Sequence, residues 1–107
     1  MAWVTLCTLD ELTEGQGKAV SIDGCNLAVY LDGGEPSVID DTCPHAGASL
    51  STGFVDAGCA VCPWHYWAFD LKTGELRDSP GVKIGRYPVR LHPRDGRQFV
   101  QADLPST

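Results

Sequence analysis

The sequence predicts an all-β fold, and two observations carry that reading. Apolar residues come in short runs rather than long helical faces. The 12 Gly and 7 Pro fall largely between those runs, where tight turns are needed. A chain of 107 residues points to one domain, 1–107, with a modest core. Such a chain buries somewhat over ~60% of its unfolded surface.

The elements follow in order. Trp3 to Leu6 reads as a first strand. Thr8 and Glu11 have the spacing of a capping box, so a single helical turn is expected there, ended by Gly15 and Gly17. Lys18–Ile22 and Asn26–Leu31 read as a hairpin joined at Asp23-Gly24. Gly33-Gly34 makes the next turn, and Ser37–Asp40 a short strand. Leu50–Val55 and Cys59–Val61 flank a turn at Asp56-Ala57-Gly58. Tyr66–Leu71 is aromatic and alternating, as a strand would be. Lys72-Thr73-Gly74-Glu75 turns it back, and Ser79-Pro80-Gly81 reads as a rigid bend. Lys83–Leu91 and Gln98–Ala102 are expected to pair across Arg94-Asp95-Gly96, leaving Pro105-Ser106-Thr107 to fray.

Charge excludes one class of partner. The formal net charge is −6, whereas nucleic-acid binding needs a basic surface to replace phosphate counterions. Up to Ala60 there is one base, Lys18, against nine acids; from Val61 onward there are seven bases against five acids. An acidic face steering a basic partner is one reading of this asymmetry, and ordinary solubilising charge is the plainer one. No stretch approaches the ~20 apolar residues of a membrane span. The N-terminus lacks the pattern of a secretory signal, so a cytoplasmic protein is expected. The odd count of five cysteines argues against a full disulfide framework.

The chemistry concentrates in Cys43-Pro44-His45 and Cys62-Pro63-Trp64-His65, with sixteen residues between His45 and Cys62. Each cluster offers one thiolate and one imidazole, and each sits on a loop at the end of a strand, where rigid strands hold the ligands. Two Cys and two His suit a structural zinc tetrahedron, and they also suit a [2Fe–2S] centre with thiolates on one iron and imidazoles on the other. Zinc fingers usually keep the Cys pair in one loop and the His pair in another. Here both loops are mixed, which favours the binuclear centre.

The pattern C-x-H-x16-C-x-x-H resembles the Rieske family, most strongly from Asp41 to Asp78. The resemblance implies an antiparallel β-sandwich with a small cluster-binding subdomain. It implies Cys43 and Cys62 on one iron, with His45 and His65 on the iron that takes up the electron. Ser79-Pro80-Gly81 looks like the family's third, proline-containing loop over the cluster. High-potential members carry an extra Cys in each loop, joined as a disulfide; Ala48 and Trp64 stand there instead. Those members also have a Ser two residues after the second His, where this chain has Trp67. Fewer hydrogen bonds to sulfur destabilise the reduced state, so a potential of about −150 mV is expected. Outer protons on His45 and His65 should bind more tightly on reduction, linking electron and proton at alkaline pH. The likeness is to soluble ferredoxins of ring-hydroxylating oxygenase systems and to the small subunit of NAD(P)H-dependent nitrite reductase. Many members have Gly where Tyr66 stands.

The expected function is therefore a soluble one-electron carrier passing electrons from a reductase to a terminal oxygenase or reductase. The alternatives are a subunit of a multi-component oxidoreductase, such as the nitrite reductase, and a zinc-stabilised interaction module. Catalysis by the chain alone is not expected. Cys59-Ala60-Val61-Cys62 has a dithiol spacing, but the segment alternates like a strand, so Cys59, Cys7 and Cys25 read as small buried hydrophobes. Trp64, Tyr66, Trp67 and Phe69 read as packing in preference to an electron relay, with alternation turning one pair inward. His92 reads as a surface residue, and Asp40-Asp41 as turn residues rather than a catalytic pair. Gly15-Gln16-Gly17 lacks the rest of a dinucleotide fingerprint.

Overall fold

The computed structural model describes residues 2–22, 24–43, 49–64 and 66–105, with the side chains of Ala2 and Pro80 outside the description. The expected turn residue Asp23, the expected ligands His45 and His65, the loop position Ala48, and Ser106 and Thr107 of the tail lie outside the described residues.

The chain is all-β and antiparallel in its named strand pairings, as the short apolar runs require. Its strands are β1 (Ala2–Thr8), β2 (Gly17–Ile22), β3 (Cys25–Asp32), β4 (Glu35–Asp40), β5 (Phe54–Asp56), β6 (Cys59–Val61), β7 (Ala68–Asp70), β8 (Glu75–Leu76), β9 (Ser79–Lys83), β10 (Arg86–Tyr87), β11 (Val89–Arg94) and β12 (Arg97–Leu104). An outer sheet has the order β1-β12-β11, a middle sheet β10-β4-β3-β2, and a third, the site sheet, β5-β6-β7-β8-β9. Two-residue loops at Gly33-Gly34, Ala57-Gly58 and Asp95-Gly96 have positive φ at both central positions. This is the turn whose twist matches paired strands. At the first helical turn, Leu9–Glu11, the Glu11 carboxylate accepts the Thr8 backbone N–H at 2.7 Å, the reach-back the capping-box spacing predicts.

The middle sheet is buried on both faces. Alternate residues of a strand point to opposite sides. Accordingly Leu27 and Val29 of β3 and Val38 of β4 join Cys7, Leu12, Val100, Ala102 and Leu104 in a core shared with the outer sheet. Ala28, Tyr30 and Ile39 face the other way, toward Ala60, Phe69 and Leu76 of the site sheet. That is why Leu27-Ala28-Val29-Tyr30 reads as a continuous apolar run.

The site sheet is an excursion that leaves the middle sheet after β4 and returns at β10, beside it. Asp40 closes the neck. Its backbone N–H donates to the Gly85 carbonyl (2.9 Å), and its carboxylate accepts the Gly85 N–H (3.0 Å) and the Tyr87 hydroxyl (2.6 Å). Arg86 Nε donates to the Leu71 carbonyl at 3.0 Å, holding the returning strand to the excursion.

Four sequence expectations are corrected. Ser79-Pro80-Gly81 is not a bend but part of β9, the outermost strand of the site sheet, where a proline's missing N–H costs no ladder bond. Lys83–Leu91 is three segments rather than one strand. β10 pairs with β4 and β11 with β12, so the chain changes sheets at Pro88. Leu50–Val55 is a 3-10 turn (Leu50–Thr52) followed by β5. The strand expected from Tyr66 begins at Ala68, because Tyr66 and Trp67 are spent closing the loop before it.

Candidate metal centre

Each candidate cysteine sits on a loop whose ends are tied. The backbone of Thr42 bridges that of Ser49, pinning the segment that follows Cys43. Asp41 reinforces this pin. Its carboxylate accepts the Ser49 hydroxyl (2.6 Å) and the Ser51 backbone N–H (2.8 Å), and its carbonyl accepts the Leu50 N–H (2.6 Å). Asp40 and Asp41 are thus structural anchors on successive residues, one for the neck and one for the first loop; Asp40 lies in β4 instead of the expected turn, and Asp41 sits at the bend that follows it.

The second loop closes on itself. The Cys62 N–H donates to the Trp67 carbonyl (2.7 Å), and the Tyr66 N–H to the Cys62 carbonyl (3.0 Å). Tyr66 sits at φ 59° to complete it, a left-handed conformation that side chains disfavour. Glycine at this place in many Rieske proteins has a direct backbone reason. Beneath the loop, a Cβ at Gly53 would overlap the Val61 carbonyl oxygen and lie 3.2 Å from Pro63 Cδ. Gly53 lets the chain after the first loop press against the strand that delivers Cys62.

These loops bring Cys43 and Cys62 together. Both are fully buried, 0% exposed, in one cluster with Tyr30, Leu50, Phe69 and Leu71. No disulfide involves any of the five cysteines. His45 and His65 lie outside the described residues, as noted, but His65 is flanked by Trp64 and Tyr66, which are 65% and 71% exposed. Thus one end of the site is dry and the residues bracketing its second histidine face solvent.

The surroundings fit a bound cluster. Two thiolates buried among apolar side chains would be strongly disfavoured without a cation to neutralise them. The same shell holds one buried hydroxyl, Tyr30 Oη, with no hydrogen-bond partner among the described residues. Among the described residues there is no group of three or more His, Cys, Asp or Glu side chains.

Strand parity disposes of the dithiol reading. Cys59 packs with Val61 and Ala68, while Ala60 and Cys62 face the opposite core. A three-residue step along a strand reverses the side chain. Cys7 lies in the core between outer and middle sheets, its thiol pushed up to about 11 by burial and then by the Glu11 charge. Trp67 and Phe69 are the inward aromatic pair, their ring centroids 6.3 Å apart. Trp64 and Tyr66 are not packed inside. His92 is exposed on β11, as expected. Sequence reasoning missed Tyr30, the bracket made by Asp41, and Gly53. Tyr30 had no signal beyond its parity with Ala28.

The fold and site define a small β protein with two buried cysteines brought together at the end of an excursion from its main sheet. The Rieske [2Fe-2S] domain profile matches residues 2–88, and the chain belongs to that family. Its cofactor is a [2Fe–2S] cluster, and the chemistry that group supplies when bound is one-electron transfer. The chain is 34% identical over 103 residues to the ferredoxin component of a naphthalene 1,2-dioxygenase system from Pseudomonas aeruginosa, covering 95% of each. A Mycobacterium tuberculosis protein described as an NADH-dependent nitrite reductase small subunit superposes with a TM-score of 0.85 at 28% identity, over 98% of this chain and 97% of that one. A chain from the complex of oxygenase and ferredoxin in carbazole 1,9a-dioxygenase superposes with a TM-score of 0.76 at 32% identity, over 91% and 99%. In two longer curated relatives, each 36% identical, the chain spans 14% and 18% of the length. Among the described residues, no helix is long and apolar enough to cross a membrane.

Proposed function

We propose that the chain acts as a single domain, a cytoplasmic one-electron carrier that takes electrons from a reductase and delivers them to a terminal oxygenase. In this reading Cys43 and Cys62 hold one iron of a single cluster, and His45 and His65 hold the other. The observation that carries it is the convergence of Cys43 and Cys62, distant in sequence, into one fully buried apolar cluster. The likeness to a dioxygenase ferredoxin component along nearly all of both chains supports the choice of partner.

Electron exchange then takes place at the histidine side. The sequence has no Asp, Glu, Lys or Arg from Thr42 to Val55 or from Ala57 to Phe69. With Trp64 and Tyr66 exposed, this supports an uncharged, aromatic docking face, the kind of surface enriched at protein interfaces.

Absorption and EPR spectra before and after dithionite, with assay of acid-labile sulfide, test the assignment. The expected result is a coloured protein that gains a paramagnetic signal on reduction. His45→Cys and His65→Cys should each change that signal. A colourless zinc protein, or a signal indifferent to both substitutions, would refute the ligand set.

The superposition on the nitrite reductase small subunit supports a second reading, in which the chain is a tightly held subunit of such an enzyme. Gel filtration of a cell extract separates the two. A free species near 11.5 kDa supports the carrier, and co-elution with a large enzyme supports the subunit.

A further inference from the structure

Tyr30 carries a polar group that the fold does not use. Its side chain is fully buried on the site-facing side of β3, in the cluster that contains Cys43 and Cys62. Its hydroxyl has no hydrogen-bond partner among the described residues. Leaving such a group unpaired in the interior is unfavourable, so a buried tyrosine needs a reason where phenylalanine would fill the same space.

The Asp41 carboxylate, whose charge acts on this hydroxyl, is already engaged. Both oxygens of the Asp41 carboxylate accept hydrogen bonds, from Ser49 and from Ser51. Burial first, then the charges of Asp41 and Cys62, push the Tyr30 hydroxyl well above its usual range. At neutral pH a tyrosine hydroxyl is a donor, and this one belongs to the same buried cluster as Cys62. The ring lies against Gly17, where a Cβ would come within 2.8 Å of Tyr30 Cε1.

We propose that Tyr30 is a tuning residue, whose hydroxyl donates a hydrogen bond to sulfur on the Cys62 side of the centre. A donor to cluster sulfur stabilises the more negative, reduced state and raises the reduction potential. Tyr30 then restores from β3 part of what is lost where Trp67 stands in place of a serine. The inference rests on Cys62 being a cluster ligand.

The test is the midpoint potential of the cluster-loaded protein. Tyr30→Phe should lower it, with the equilibrium for reduction shifting about tenfold, or 59 mV for a one-electron couple. Uniform replacement of tyrosine by 3-fluorotyrosine, whose phenol is the stronger donor, should raise the potential in the native sequence and leave Tyr30→Phe unmoved. That arm stands if Tyr30→Phe fails to load. A native protein with no iron–sulfur signal would overturn the site itself. An intact signal with a potential unmoved by both changes would overturn the role of Tyr30 alone.

Discussion

Leu27 and Val29 point into the core between the outer and middle sheets, while Ala28 and Tyr30, on the same strand, point into the core beneath the site sheet. The first core is mostly aliphatic and closed by long strands, with β1 pairing β12 from Ala2↔Leu104 to Thr8↔Phe99. Its buried thiol, Cys7, is held protonated by burial. The second core contains two cysteines and an unpartnered hydroxyl, and the strands over it are short: three residues each in β5, β6 and β7, and two in β8. Strands this short hold little by themselves. The first core supports itself by burial, whereas in the proposed reading the second is completed by the cluster, because metal-binding free energy becomes folding free energy.

Removing the cluster should break the symmetry between the two cores most visibly. Chelation under reducing conditions is expected to abolish amide hydrogen-exchange protection in β5 to β8, while β3 and β12 keep theirs. Uniform loss across all strands would mean that the cores are not separable; uniform retention would mean that the excursion stands without metal. A smaller effect probes the other side of β3. Leu27→Ala removes a fully buried side chain from the first core and should cost about 2–5 kcal/mol in urea denaturation. Its EPR spectrum should match that of the native protein, since Leu27 faces away from the site. A shifted spectrum would show that the middle sheet transmits strain between its faces.

The sequence carried the site's chemistry further than its construction. Cys43 and Cys62 were legible because their residue types and spacing are tied to coordination, and the structure buries both in one place. The hairpin turns were legible because Gly33-Gly34 and Asp95-Gly96 match a local backbone requirement. Three features were not. Pro80 reads as a bend in any local context, and only a sheet edge makes it a strand residue. Pro88 marks a change of sheet that no periodicity announces. Tyr30 alternates correctly for either face, and its importance depends on which of two cores lies opposite. Each of these is fixed by contacts between residues far apart in the chain.

The smallest effect concerns the loop that ties Cys62 to the solvent side. Tyr66 adopts φ 59° while its ring stays 71% exposed, so the backbone carries strain that ring burial does little to repay. Left-handed backbone costs a non-glycine residue about 1–2 kcal/mol. Glycine would relieve that cost but would add about 0.4–1 kcal/mol of unfolded-state entropy. Tyr66→Gly should therefore leave stability unchanged or raise it by up to about 1.6 kcal/mol. The cluster spectrum should be retained, because the bonds closing the loop run through the backbone of Cys62, Tyr66 and Trp67. Tyr66→Ala, with the strain but without the ring, should be the less stable of the two. Electron delivery separates the ring from the backbone. If the aromatic face docks the partner, both variants should weaken partner binding alike, although their stabilities differ. Should Tyr66→Gly destabilise the cluster-loaded protein by more than about 1 kcal/mol, the ring would belong to the second core after all, and the line between buried cysteines and exposed docking face would have to be redrawn one residue closer to solvent.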